Sequence, residues 1–177
     1  MKKKTLALVL ALTLLVAGVV GGTLAWLTDQ TAEVKNTFTV GDINIDLTET
    51  TTDYKMVPGN TIAKDPTVTV KANSEACWLF VKVTKSENLD TFITYAIAEG
   101  WTALPGVDGV YYREVPASAA DQTFPVLAGN TVTVNDTVTK EMLTAKDFVN
   151  PTLTFKAYAV QKDNVASASD AWAKVNP

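Results

Sequence analysis

Residues 76–84 read ACWLFVKVT. Two features of this stretch decide the fold class. Its β-branched and aromatic content favours an extended backbone. Its apolar residues also fall on both sides of a period-two alternation, with Leu79, Val81 and Val83 on one face and Trp78 and Phe80 on the other. A strand apolar on both faces needs cover on both faces, so it belongs in the middle of a layered β protein rather than on a half-solvated surface. Cys77 lies inside this run and is the single cysteine of the chain, so no intramolecular disulfide forms. The reading preferred for it is a small buried hydrophobe, not a reactive thiol.

Short threonine- and valine-rich runs between turn signals extend outward from this centre, the pattern of an antiparallel β-sandwich or jelly roll. On the N-terminal side, MVPGNTIAKDPTVTVKA reads as turn, strand, turn, strand, with Pro58-Gly59 as the first turn and Val68 and Val70 on one face. TFTVGDINIDL places Phe38 and Val40 on one face and Ile43, Ile45 and Leu47 in a second set, with a bulge expected at Gly41. On the C-terminal side, the pattern predicts a helical turn over Glu87 to Thr91 and a strand over Ile93 to Ala98. It then predicts a hairpin with Pro105 to Gly109 as its loop and a strand pair around Gly129-Asn130. A short helix over Thr139 to Ala145 and a late strand with Leu153, Phe155, Ala157 and Ala159 on one face follow. A last helical turn, DAWAKV, is capped by Ser169. The expected class is all-β with short helical turns, one domain over residues 26–177, preceded by a signal helix.

The first 25 residues differ in kind. Lys2, Lys3 and Lys4 precede a 15-residue apolar run, Leu6 to Val20, and small residues lead to Thr23-Leu24-Ala25. This is the layout of an export signal peptide cut between Ala25 and Trp26. The competing reading is an uncleaved anchor, because the apolar stretch continued to Leu27 approaches the roughly 20 residues that span a bilayer. A pilin-type leader, retained as an assembly helix, is disfavoured because no acidic residue precedes Asp29.

The chain has 177 residues and a net charge of −4. Without the three leader lysines, 12 basic residues face 19 acidic ones, a charge near −7. That balance argues against nucleic acid as a partner. Histidine is absent, which removes the commonest general base and metal ligand and every triad or HExxH motif built on them. No glycine pattern matches a phosphate loop. Asp42, Asp46 and Glu49 lie along one strand region; Asp42 and Asp46 share a strand face that reads as solvated, and turn chemistry accounts for Asp108. Trp101 with one exposed tyrosine of the pair Tyr111 and Tyr112 is a thin sugar platform; Trp78 reads as core. No catalytic residue, metal ligand or cofactor emerges.

Several stretches together resemble the TasA/camelysin family of exported Gram-positive surface proteins. They are the leader ending GGTLAWLTD, the following NTFTVGDINIDLTE, MVPGN with KDPTVTVKANSEACWLFVKV, GWTAL with GVYYREV, and FKAYAVQ with AWAKV. The leader junction is the most specific of these. The resemblance implies a jelly-roll β-sandwich, export through a dedicated SipW-type signal peptidase, and a place outside the cell as a biofilm-matrix fibre subunit. It further implies self-association by donation of the strand behind the leader, whose apolar residues are Trp26, Leu27, Val34, Phe38 and Val40, with other matrix proteins as further partners. Family members labelled metalloproteases have no counterpart here in a chain without histidine. The alternative function is a monomeric cell-surface binding module, and the remaining one a camelysin-like protease.

Overall fold

The computed structural model describes residues 41–51 and 54–175. The predicted signal helix and the stretch from Trp26 to Val40 lie outside these residues. Among the described residues ten strands follow in order: β1 (Ile45–Thr48), β2 (Thr61–Ala63), β3 (Thr67–Val70), β4 (Cys77–Lys85), β5 (Ile93–Thr94), β6 (Thr102–Ala103), β7 (Val110–Val115), β8 (Gln122–Pro125), β9 (Thr131–Val134) and β10 (Leu153–Gln161). Three short helices accompany them: α1 (Leu89–Phe92), α2 (Lys140–Thr144) and α3 (Ala168–Val175). Every ladder is antiparallel, and the strands form three sheets in the orders β1-β3-β8, β10-β4-β7-β6 and β2-β9-β5.

β4 is the central strand that its sequence requires. It pairs along its whole length with β10, from Cys77↔Gln161 to Lys85↔Leu153, and on its other side with β7. Leu79, Val81 and Val83 pack with Val68, Val70, Val115 and Val126, so this face of the four-stranded sheet and the sheet β1-β3-β8 share one core. Leu153, Phe155, Ala157 and Ala159 reach the same core from β10, and Ile43, Ile45 and Leu47 reach it from β1 and the residues before it. On the opposite face Trp78 and Phe80 pack under α3, against Ala168, Ala171 and Trp172. Fully burying one such large side chain is worth roughly 1.5–3 kcal/mol, so the two layers on β4 form the main stabilising region. A third cluster, built from Leu89, Phe92, Ile93, Leu127, Val132, Val134 and Val138, holds the small sheet β2-β9-β5 together.

Several expectations hold at residue level. The turn at Pro58-Gly59, the loop from Pro105 to Gly109 between β6 and β7, and α2 are present. Thr139 caps α2 by accepting from the Met142 amide at 3.3 Å.

Other expectations are corrected. β8 and β9 are strands but do not pair with each other: β8 pairs with β3, and β9 with β2 and β5. The turn between them, Ala128–Asn130, is a 3-10 turn with Gly129 at φ 62 and Asn130 at φ 52. It carries the chain from one sheet to another, because Val126 and Leu127 on its near side are fully buried in two different clusters. The strand expected over Ile93 to Ala98 shortens to β5, followed by a single bridge between Ile97 and Leu127. No strand covers Gly41, so the bulge expected there has no ladder on its described side.

The final helix starts earlier than expected, and its cap is Ser167 rather than Ser169. The Ser167 hydroxyl oxygen accepts from the Asp170 amide at 3.1 Å, and the hydroxyl donates to the Asp170 carboxylate at 2.6 Å. The earlier start puts Ala168, Ala171 and Trp172 on one helical face, all buried against the sheet.

Candidate functional site

The residues assigned to leader cleavage, Ala25 and Trp26, and to the assembly strand, Trp26, Leu27, Val34, Phe38 and Val40, lie outside the described residues. The structure places another feature beside them in the chain. β1 and β10 are each the outermost strand of their sheet among the described residues. A groove of about 700 Å³ is lined by residues of both strands and by Ile62 of β2. Leu47, Ile62, Leu153 and Phe155 give it apolar walls, as the inward halves of alternating strands do.

One polar cluster is set into this groove. Lys64 is only 7 % exposed and its Nζ lies 2.6 Å from Glu49 Oε1. The Tyr54 hydroxyl donates to the same carboxylate oxygen at 2.6 Å and also contacts the Thr51 carbonyl. Lys64 Nζ stands 4.9 Å from the centroid of the Tyr54 ring and 5.4 Å from that of Phe155. The ammonium is thereby neutralised by a carboxylate and flanked by two ring faces, the arrangement a buried cation needs. Burial pushes the Tyr54 phenol pKa upward, and the Glu49 hydrogen bond and charge add to the rise. Tyr54 therefore remains a neutral donor, with no proton to give near neutrality.

Next to this cluster, Asp65 accepts from the Thr50 amide at 2.9 Å and from the Thr50 hydroxyl. Those two bonds hold its carboxyl below the usual carboxylate range. The sign follows: the stabilisation is present above the ordinary carboxylate range and is lost as pH falls through the lowered value. Glu49 thus sits in an ion pair. Lys64 falls between β2 and β3, yet it is in phase with the buried Pro66, Val68 and Val70, so the alternation of β3 continued backward passes through it.

The other candidates are dispersed. Trp78 is core, 6 % exposed, and its Nε1 donates to the Val165 carbonyl at 3.2 Å. Trp101 is buried, with Nε1 donating to the Pro125 carbonyl at 2.8 Å. Tyr111 and Tyr112 point to opposite faces as expected, but each is half-buried against its own core, so neither is the exposed partner that a sugar platform requires. Asp42 accepts from the Ile43 amide at 2.8 Å and from the Asn44 side chain at 3.1 Å, and Asp46 is exposed. Among the described residues no group of three or more acidic or cysteine side chains is placed to hold a metal ion, and no helix is long and apolar enough to cross a membrane.

Cys77 is fully buried, and desolvation pushes its thiol up to about 11. Both effects suppress the thiolate that reacts. A disulfide reagent at pH 8 is expected to leave the native chain unmodified and to titrate one thiol in denaturant; rapid native modification would show that the β4 layer opens.

No family model matches the chain, and neither a curated protein nor a solved structure does.

Proposed function

We propose that the chain is an exported, non-enzymatic structural subunit of an extracellular matrix or surface fibre. In this reading the domain is a jelly-roll-like β-sandwich, a dedicated signal peptidase cuts between Ala25 and Trp26, and the segment behind the cut joins a second copy by strand addition. The partners are further copies and other matrix proteins; no cofactor takes part. The resemblance at the leader junction and the acidic, histidine-free composition support export and a non-catalytic role.

One structural observation carries the assembly step: the groove lined by residues of the outer strands β1 and β10. Strand edges present unpaired amide and carbonyl groups, which invite pairing with another chain. β10 has nine residues, enough to offer a long ladder. An incoming strand would gain main-chain hydrogen bonds and could bury Phe38 and Val40 against the groove's apolar walls. Two such side chains contribute about 3–6 kcal/mol before ordering costs. Strand donation in one direction does not close on itself, so it yields a filament.

Deleting Trp26 to Lys35 is expected to leave a folded monomer on a sizing column and to abolish fibres in electron micrographs. Phe38→Asp is expected to weaken the same step by placing a charge among apolar side chains. Normal fibres from the truncated protein would exclude this donor. A mature, untruncated chain that stays monomeric at every concentration would favour a surface binding module.

A further inference from the structure

Arg113 is the only arginine of the chain, and it points inward. Its partner across the ladder is Leu79, so it shares a face of β7 with Tyr111 and Val115, the face that packs into the core shared with β1-β3-β8. The guanidinium carbon lies 4.0 Å from the centroid of the Phe124 ring and 5.4 Å from that of Trp101. Gly100 closes another side: at φ +86 it takes a backbone conformation that side-chain-bearing residues rarely adopt, and a Cβ there would stand 3.1 Å from an Nη atom. Nε is buried without a hydrogen-bond partner. No carboxylate among the described residues lies within ion-pair distance of the group. Burial lowers the Arg113 pKa. The residue keeps part of its surface open to solvent.

A desolvated guanidinium normally carries a paired anion, because removing a cation from water without one is costly. Lys64, the buried cation of the groove, follows that rule through Glu49. Arg113 has ring faces and an approaching glycine but, among the described residues, no anion. We propose that Arg113, framed by Trp101, Phe124 and Gly100, is a docking site for a carboxylate. The planar fork of a single guanidinium matches one planar monoanion in two parallel hydrogen bonds. Among the described residues no second cation stands over these rings, as a phosphate dianion would favour. The aromatic walls suit the carbon atoms behind a carboxylate. Its source is either an acidic side chain of a second copy or a free organic acid. The site stands independently of strand donation.

A single arginine gives a single Nε–Hε resonance, so the assignment is unambiguous. The full chain, labelled with nitrogen-15, is titrated with sodium acetate and with sodium chloride at matched ionic strength. Acetate is expected to shift the Arg113 Nε–Hε and Gly100 amide signals saturably; chloride is not. Arg113→Lys is expected to weaken acetate binding at the Gly100 amide about tenfold, since it keeps the charge and loses the fork, and Arg113→Met to abolish it.

A peptide of residues 26–40, carrying Asp29 and Glu33, separates the sources. Binding tighter than acetate that disappears when both become amides assigns the carboxylate to a second copy; binding no tighter than acetate assigns it to a free acid. Either result supports the site. Absence of a saturable acetate shift, an equal shift with chloride, or a Gly100 shift undiminished in Arg113→Met overturns it. If Arg113→Met does not fold, the wild-type titrations and the lysine variant still decide.

Discussion

Phe80→Ala is expected to lower the free energy of unfolding by about 3–5 kcal/mol, the usual cost of deleting a large aromatic ring from a packed interior. Phe80 is fully buried. Its ring lies 5.3 Å from that of Trp172 and 6.3 Å from that of Tyr112, which ties β4 to α3 on one side and to β7 on the other. Alanine would leave a cavity between a sheet and a helix, and neither can collapse into it without disturbing the β10-β4-β7 ladders. The measurement is urea unfolding followed by tryptophan fluorescence, with the midpoint falling at unchanged slope. Val149→Ala is the control: Val149 is 69 % exposed, and its loss should cost no more than about 0.5 kcal/mol. Similar shifts for the two variants would contradict the layer assigned to α3.

Breaking the Glu49–Lys64 pair is the second large effect. Glu49→Ala leaves Lys64 buried beside two rings without its carboxylate, and single losses of this kind cost about 3–5 kcal/mol. The Glu49 side chain is 17 % exposed and the Lys64 side chain 9 %, so partial hydration places the expectation near the lower end, about 3 kcal/mol. The double variant Glu49→Leu with Lys64→Met removes both charges and retains apolar volume. It should recover most of that loss, because the buried charges are then gone together. Thermal unfolding of the two single variants and the double one completes the cycle. A loss of about 0.5 kcal/mol or less for Glu49→Ala would mean that water screens the pair and that the groove is open at that end.

The central strand was legible because ACWLFVKVT contradicts itself as a half-buried strand: only two covered faces satisfy it. The faces of β3 and β10 were legible from plain alternation, through Val68 and Val70 and through the set from Leu153 to Ala159. Pairing was less legible. FPVLAGNTVTV looks like a hairpin because Gly129-Asn130 suits left-handed turns, yet Val126 and Leu127 are drawn into separate cores before the turn is reached. Burial of two adjacent residues on opposite sides outweighed the local turn preference.

The cap of α3 was misplaced by two residues, since Ser167 and Ser169 offer the same hydroxyl and only the buried face of Trp172 decides between them. Within the candidate groove, Leu47 was read on its correct face. Lys64 was not placed there, because its pairing with Glu49 spans 15 residues of sequence, although its phase with Pro66, Val68 and Val70 points it inward. The inward position of Arg113 did leave a trace. In VYYREV the alternation from Tyr111 to Val115 passes through Arg113, and a charged residue there was the sign of a core-facing cation.

The β4–β10 ladder also bears on how the chain emerges during synthesis. Its paired residues are 68 to 84 positions apart, so most of the contacts that cover β4 are non-local, the arrangement associated with slow folding. As the chain elongates at roughly 5–20 residues per second, β4 waits several seconds or more before β10 exists to pair with it, and α3, the cover for Phe80, arrives later still. For that interval the most apolar strand of the described protein has one long edge and one broad face unprotected. Residues 77–83 gain their full cover only when residues 153–175 have emerged.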